Sequence, residues 1–218
     1  MSGCGDVSGL ARRLEAAITS EASAIISFGV AGGLAQGLGP GTMLVARSVV
    51  AADGARYYGD PVWSKRLSCA LGGAAIADLA GVDLPVCGPA ERRALHLKTG
   101  ALAADTESHV AARAAAARNL PFAAFRVVAD PAHRQLPHAA LVAIRPDGSI
   151  ALGAILGSLV RDPRQVPRLM RTANDARAAF VALFRGRKML DGALGFNEFR
   201  ESLLDMPAED VIGGPLPV

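Results

Sequence analysis

The stretch from Thr99 to Arg134 sets Asp105, Glu107, His109 and Asp130, side chains able to hold or move a proton, around a run of alanines and the apolar stretch PFAAFRVVAD. Asp130 ends that stretch, where a buried strand would reach the rim of a sheet. Partial burial there raises a carboxyl's pKa and lets it donate a proton near neutral pH. The plain alternative is an Asp-Pro turn, since Pro131 follows. For ADTES, Asp105 or Thr106 can cap a helix and Glu107 can complement its dipole. Alternatively, Glu107 accepts hydrogen bonds from vicinal hydroxyls, as a fixed, ionised carboxylate does strongly. His109 reads as a packed or surface helix residue rather than a base.

A third candidate is Gly29-Val30-Ala31-Gly32-Gly33. Without a Cβ, Gly29, Gly32 and Gly33 could present backbone N–H groups to an anion such as phosphate. The segment lacks the Lys-Ser/Thr of a P-loop and the GxGxxG spacing of a dinucleotide site. A tight turn after a strand accounts for it equally well. Cys4, Cys69 and Cys87 are odd in number and lack CxxC spacing, and His133 and His138 have no metal-motif spacing. No metal and no organic cofactor are expected. With no secretory n-region and h-region at the start, a reduced cytoplasm is the expected location.

These residues need a scaffold. A chain of 218 residues suffices for one large domain, and 51% hydrophobic with 5% aromatic residues implies a core of small aliphatic side chains. The net charge of +3 is spread along the chain without interleaved aromatics, so no nucleic-acid partner is expected. The uncharged stretch from Ala22 to Ala46 is long enough to cross a bilayer, but its glycines and Pro40 divide it into strand, loop and strand.

Apolar residues at helical spacing from Val7 to Ile18 predict an amphipathic helix. AIISFGVAGGL and TMLVARSVVAA predict buried strands, the first opening into a loop at its glycines. A loop or hairpin over DGARYYGDPVW should lead into a short helix from Ser64 to Leu71. AAIADLAG and DLPVCG are short strand candidates. Pro89 opens a helix to about Lys98, Glu107 to Asn119 forms another, and PFAAFRVVAD is a further strand. Helix is expected from about His138, interrupted at RPDGS and continuing through QVPRLMRTANDARAAFVALFRG. Alternating strands and helices predict an α/β fold with a mostly parallel central sheet, in one domain over residues 1–192 with a tail over 193–218.

Taken together, ISFGVAGGL, TGALAADTESHVAA, LPFAAFRVVADPAHRQLPHAALVAIRPDG and LGSLVRDPRQVPRL resemble the purine nucleoside phosphorylase and nucleosidase superfamily, specifically its hopanoid-associated phosphorylase branch. The resemblance runs from about residue 24 to residue 175. It implies a three-layer sandwich around a mixed, mostly parallel sheet, and cleavage of a purine N-glycosidic bond by phosphate or water, with inorganic phosphate as a possible co-substrate. It implies that Asp130 protonates purine N7, that Glu107 binds ribosyl hydroxyls with Thr106 and Phe125 beside the substrate, and that Gly29, Gly32 and Gly33 lie at the phosphate. The family's Met before the ribose-binding Glu is replaced by Thr106, and the chain is expected to begin after the family's first strand.

The branch implies adenosylhopane as substrate, a lipid-linked nucleoside, with an apolar wall expected over Ser149 to Val160. It also implies peripheral contact with the inner membrane and a homo-oligomer. The alternatives are a 5′-methylthioadenosine/S-adenosylhomocysteine nucleosidase and a non-catalytic, shortened homologue acting as a binding subunit.

Overall fold

The computed structural model describes residues 7–19, 22–136, 158 and 160–190. Its strands are β1 (Ile25–Gly33), β2 (Met43–Ala51), β3 (Arg56–Tyr58), β4 (Ala75–Gly81), β5 (Ala103–Asp105) and β6 (Phe122–Asp130). The helices are α1 (Val7–Ala17), α2 (Pro61–Ala70), α3 (Pro89–Thr99), α4 (Ser108–Ala116) and a long α5 (Val166–Met189). The expected helix after His138, the tail over 193–218 and nearly all of the expected apolar wall lie outside the described residues.

The six strands form one mixed sheet in the order β3-β2-β4-β5-β1-β6. The long pairings, β1 with β6 and β2 with β4, are parallel, as expected. What alternation of elements does not foretell is that β6 pairs again with β2, antiparallel, through Phe125–Val45 and Val127–Met43. The sheet therefore closes on itself, and β6 is hydrogen-bonded on both sides.

Strand β6 explains the layers. Successive side chains point to opposite faces of a strand, so Phe122, Ala124 and Val128 join a core with Ala111, Ala112 and Ala115 of α4. Ala123, Phe125 and Val127 join a second core with Trp63 and Leu67 of α2 and Ala179 and Leu183 of α5. A strand buried on both faces needs a continuous apolar run, and this one breaks it only at Arg126 before reaching Asp130.

Several element boundaries differ from the sequence expectation. Helix α2 starts at Pro61 rather than Ser64, because Asp60 accepts hydrogen bonds from the Val62 and Trp63 N–H groups. Helix α4 is shorter than Glu107 to Asn119, its last turn giving way to a left-handed Asn119. DLPVCG is loop, not strand: Pro85 has no N–H for a ladder, and the Val86 carbonyl instead accepts from Arg92. Helix α3 is bounded by a Glu91 carboxylate that accepts from the Gly88 N–H and by a left-handed Gly100.

Candidate active site

Strand β5 ends in Asp105, and its carboxylate settles the capping question. Asp105 Oδ1 accepts from the N–H groups of Glu107 (2.9 Å) and Ser108 (2.6 Å), so the cap of α4 is Asp105. Glu107 makes no capping bond and is free to face a cavity. Thr106 donates its hydroxyl to Glu107 Oε1 at 2.7 Å, fixing one carboxylate oxygen.

Beneath them lies Arg126, 1% exposed, which donates to Ser27 Oγ at 2.6 Å and to Asp105 Oδ1 at 3.0 Å. Its guanidinium is 3.8 Å from Glu107 Oε2. Burial opposes ionisation of Asp105, yet the charge and hydrogen bond of Arg126, with the two N–H donors, hold its carboxyl below the usual range. Glu107 is pushed up by burial, partly offset by Arg126. Asp105 Oδ2 and Arg126 Nε are buried and have no hydrogen-bond partner among the described residues.

Asp130 ends β6 four residues after Arg126 and is ion-paired with Arg92 of α3. Burial pushes its carboxyl up, while Arg92 pulls it down. Register between β1 and β6 slips after Ala31, which sets Gly32 opposite Asp130.

A cavity of about 840 Å³ joins these groups: Asp130 and Arg92 at one end, Glu107, Thr106, Asp105 and Arg126 along its floor. Leu10 and Leu14 of α1 and Phe180 and Leu183 of α5 give it apolar walls. The Asp130 and Glu107 singled out from the sequence thus share one space. Among the described residues, no group of three or more His, Cys, Asp or Glu side chains could hold a metal ion, and no helix is long and apolar enough to cross a membrane.

Two expectations need correction. Gly29, Gly32 and Gly33 are not a loop: all three lie within β1, Gly29 and Gly32 paired with β6 and Gly32 and Gly33 with β5. Their role is steric, since a Cβ on Gly29 would stand 3.1 Å from Arg126 Nη1. Phe125 does not line the cavity. It faces away from Arg126, fully buried, with its ring 5.1 Å from Phe28 and packed against Gly186 of α5. Its odd place in the alternation already put it on the other face. His109 is buried in α4 with Nε2 3.3 Å from Asp83, outside the cavity lining.

The sequence reading missed Arg126 and Arg92. For Arg126 a signal existed, because a charge inside FAAFRVV must be buried and therefore paired. For Arg92, in the helical run AERRALH, nothing distinguishes it from its exposed neighbour Arg93.

Solved structures share this fold. The 5′-methylthioadenosine/S-adenosylhomocysteine nucleosidase of Helicobacter pylori is 18% identical, covering 59% of this chain and 62% of that one, with a TM-score of 0.51. The futalosine hydrolase of H. pylori strain 26695 is 17% identical over 70% of this chain and 74% of its own, with a TM-score of 0.55. The corresponding nucleosidase of Colwellia psychrerythraea 34H, solved with adenine, is 16% identical over 70% and 73%, with a TM-score of 0.53. The chain thus spans less than two thirds of the first of these relatives. No curated protein matches it in sequence. Residues 1–161 match the sequence model of the phosphorylase superfamily, and with the fold in agreement, the chain belongs to that superfamily.

Proposed function

We propose that the chain cleaves the N-glycosidic bond of a purine nucleoside, releasing adenine from adenosylhopane in hopanoid biosynthesis. The observation that carries this reading is the cavity shared by Asp130 and Glu107. Departure of the base leaves an oxocarbenium-like sugar and a purine anion that is a poor leaving group until protonated. Asp130, its carboxyl raised by burial, supplies the proton at N7. Positioned proton transfer of this kind contributes about 10²–10⁴-fold. Glu107 accepts from the ribosyl hydroxyls, and by analogy with glycoside hydrolysis such bonds strengthen as positive charge develops on the sugar.

The nucleophile is phosphate or water. Supplying or omitting inorganic phosphate and detecting ribose 1-phosphate derivatives against the free ribosyl product by mass separates the two. Gly29, Gly32 and Gly33 offer a phosphate paired strand backbone rather than a loop, and the cations lining the cavity are Arg92 and Arg126.

A second substrate reading, 5′-methylthioadenosine or S-adenosylhomocysteine, is supported by a Helicobacter pylori nucleosidase variant of the same fold that holds 5′-methylthioadenosine in its active site (14% identity, TM-score 0.54). Comparing kcat/KM for the three nucleosides decides between them. Tight nucleoside binding with no base release under either condition would instead favour the binding-subunit reading. Peripheral contact with the inner membrane is supported by α5, which exposes Phe180, Val181 and Phe184 among Arg177, Arg185, Arg187 and Lys188. Homo-oligomer formation is the expectation that light scattering tests.

A further inference from the structure

Arg92 is held in an unusual way for a helix residue. It is 1% exposed, and its guanidinium meets acceptors from three separate segments. Nε donates to the Val86 carbonyl in the loop before α3 at 3.0 Å. Nη1 lies 3.4 Å from the Gly33 carbonyl at the end of β1, and 3.3 and 3.2 Å from the carbonyls of Asp130 and Pro131 at the end of β6. Nη2 is ion-paired with the Asp130 carboxylate. A guanidinium presents five donors in a rigid fork, so these bonds leave it little freedom to turn, and the carboxyl it grips shares that fixity.

We propose that Arg92 is a positioning residue for the acid: it aims the Asp130 carboxyl into the cavity, and its charge governs how readily that carboxyl gives up its proton. The proposal rests on the reading of Asp130 as the proton donor. As the glycosidic C–N bond breaks, its electron pair passes to the purine, the proton moves from Asp130 to N7, and a phosphate or water oxygen bonds to C1′. A water nucleophile sheds its extra proton to solvent. Asp130 is then a carboxylate, and negative charge has appeared on a largely buried side chain beside a fixed cation. A cation already fixed at that place stabilises the charge as it develops without reorganisation. Asp130 regains its proton from solvent between turnovers.

Other charges also face Asp130. Arg134, in the loop after β6, acts in the same sense as Arg92, and Asp175 of α5 acts against it. These two are paired with one another, which leaves Arg92 as the dominant cation. Cys87, in the loop before α3, has its thiol pushed up by burial and by Glu91, with Asp130 adding in the same sense.

The test is the pH profile of kcat/KM for base release in Arg92→Met and Arg92→Lys. Removing the cation makes Asp130 hold its proton to higher pH. One limb of the profile in Arg92→Met should therefore move up by about one pH unit or more, the other limb staying in place, with a fall in kcat of at least about tenfold. Arg92→Lys, which keeps the charge and loses the fork, should retain the wild-type limbs at reduced kcat. If Arg92→Met does not fold, Arg92→Gln takes its place, and ¹³C titration of the Asp130 carboxyl, assigned with Asp130→Asn, reads the same displacement without turnover. Unmoved limbs and an unmoved carboxyl titration in the neutral variants, with Asp130→Asn inactive, overturn the role of Arg92 alone. A fully active Asp130→Asn overturns the reading on which it rests.

Discussion

Replacing Arg126 by Met should be among the most damaging single changes in the chain. The guanidinium is 1% exposed and sits at the centre of a buried network, bonded to Ser27 at 2.6 Å and to Asp105 at 3.0 Å. Methionine fills much of the same volume, so the loss is electrostatic rather than steric. Asp105 would then remain buried with only the two N–H groups of Glu107 and Ser108 to hold its charge. Breaking a buried pair by removing one partner costs about 3–5 kcal/mol, a large part of the roughly 5–15 kcal/mol that keeps a domain folded.

Urea unfolding of wild type, Arg126→Met, Asp105→Asn and the double variant measures this. The single Arg126 variant should show a lower midpoint at unchanged m-value. In the double variant the uncompensated charge is gone while Asn can still accept the capping bonds, so about 1–3 kcal/mol should be recovered relative to additivity. A loss below about 1 kcal/mol in Arg126→Met, or strict additivity in the cycle, would refute the reasoning. In the variant as long as it stays folded, Glu107 loses the cation that pulls its carboxyl down, so its acid form should persist to higher pH.

Asp78, held to about 2 by hydrogen bonds from Arg47, Ser48 and Arg56, contributes stability that is present above the ordinary aspartate range and lost as pH falls through about 2. Because Arg47 is largely solvated, Asp78→Asn should cost only about 1–2 kcal/mol at pH 7, and denaturation curves of the two proteins should converge between about pH 4 and pH 2; a gap that persists in acid would contradict this. A Cβ on Gly81 would stand 2.3 Å from His109 Cβ, pressing α4 off β4 next to Glu107. Gly81→Ala should cost about 1–3 kcal/mol, a fall in Tm of roughly 3–10 °C, and lower activity with it; an unchanged melt would show that α4 has room to move. Phe184→Asp, on the exposed face of α5, should weaken co-sedimentation with vesicles of anionic lipid and leave hydrolysis or phosphorolysis of a soluble nucleoside unchanged. Equal sedimentation of both proteins would remove the membrane reading of that helix.

The parts of the fold legible in the sequence are those set by local pattern. The long apolar runs over β1, β2 and β6, the helical spacing of α1 and the Pro89 start of α3 each carry their own signal. What stayed hidden depends on pairing at a distance. Strand β5 has three residues, too few for any alternation to register. Closure of the sheet through β6 and β2 is a contact between segments about eighty residues apart that leaves no local mark. The glycines of β1 look like a loop in one dimension. They are strand through pairing with β5 and β6, and a Cβ would be crowded at Gly29 by Arg126 and at Gly33 by the Asp130 carbonyl.

The site divides in the same way. Asp130 and Glu107 were visible because each stands at the end of an apolar run, where a carboxylate is costly unless it has work or partners. Asp105 takes the capping role that the sequence leaves open between Asp105 and Thr106. Phe125, which the resemblance sets beside the substrate, lies in the opposite core, where strand alternation sends it. Arg92 comes from a helix thirty-eight residues upstream of the acid it grips.

The most direct measurement is chromatographic detection of free purine base from nucleosides carrying an apolar 5′ substituent, with wild type and Asp130→Asn side by side, each with and without phosphate. Wild type should release the base, and Asp130→Asn should be slower by about 10²–10⁴-fold while still binding the nucleoside. Release at the wild-type rate by Asp130→Asn would contradict the account.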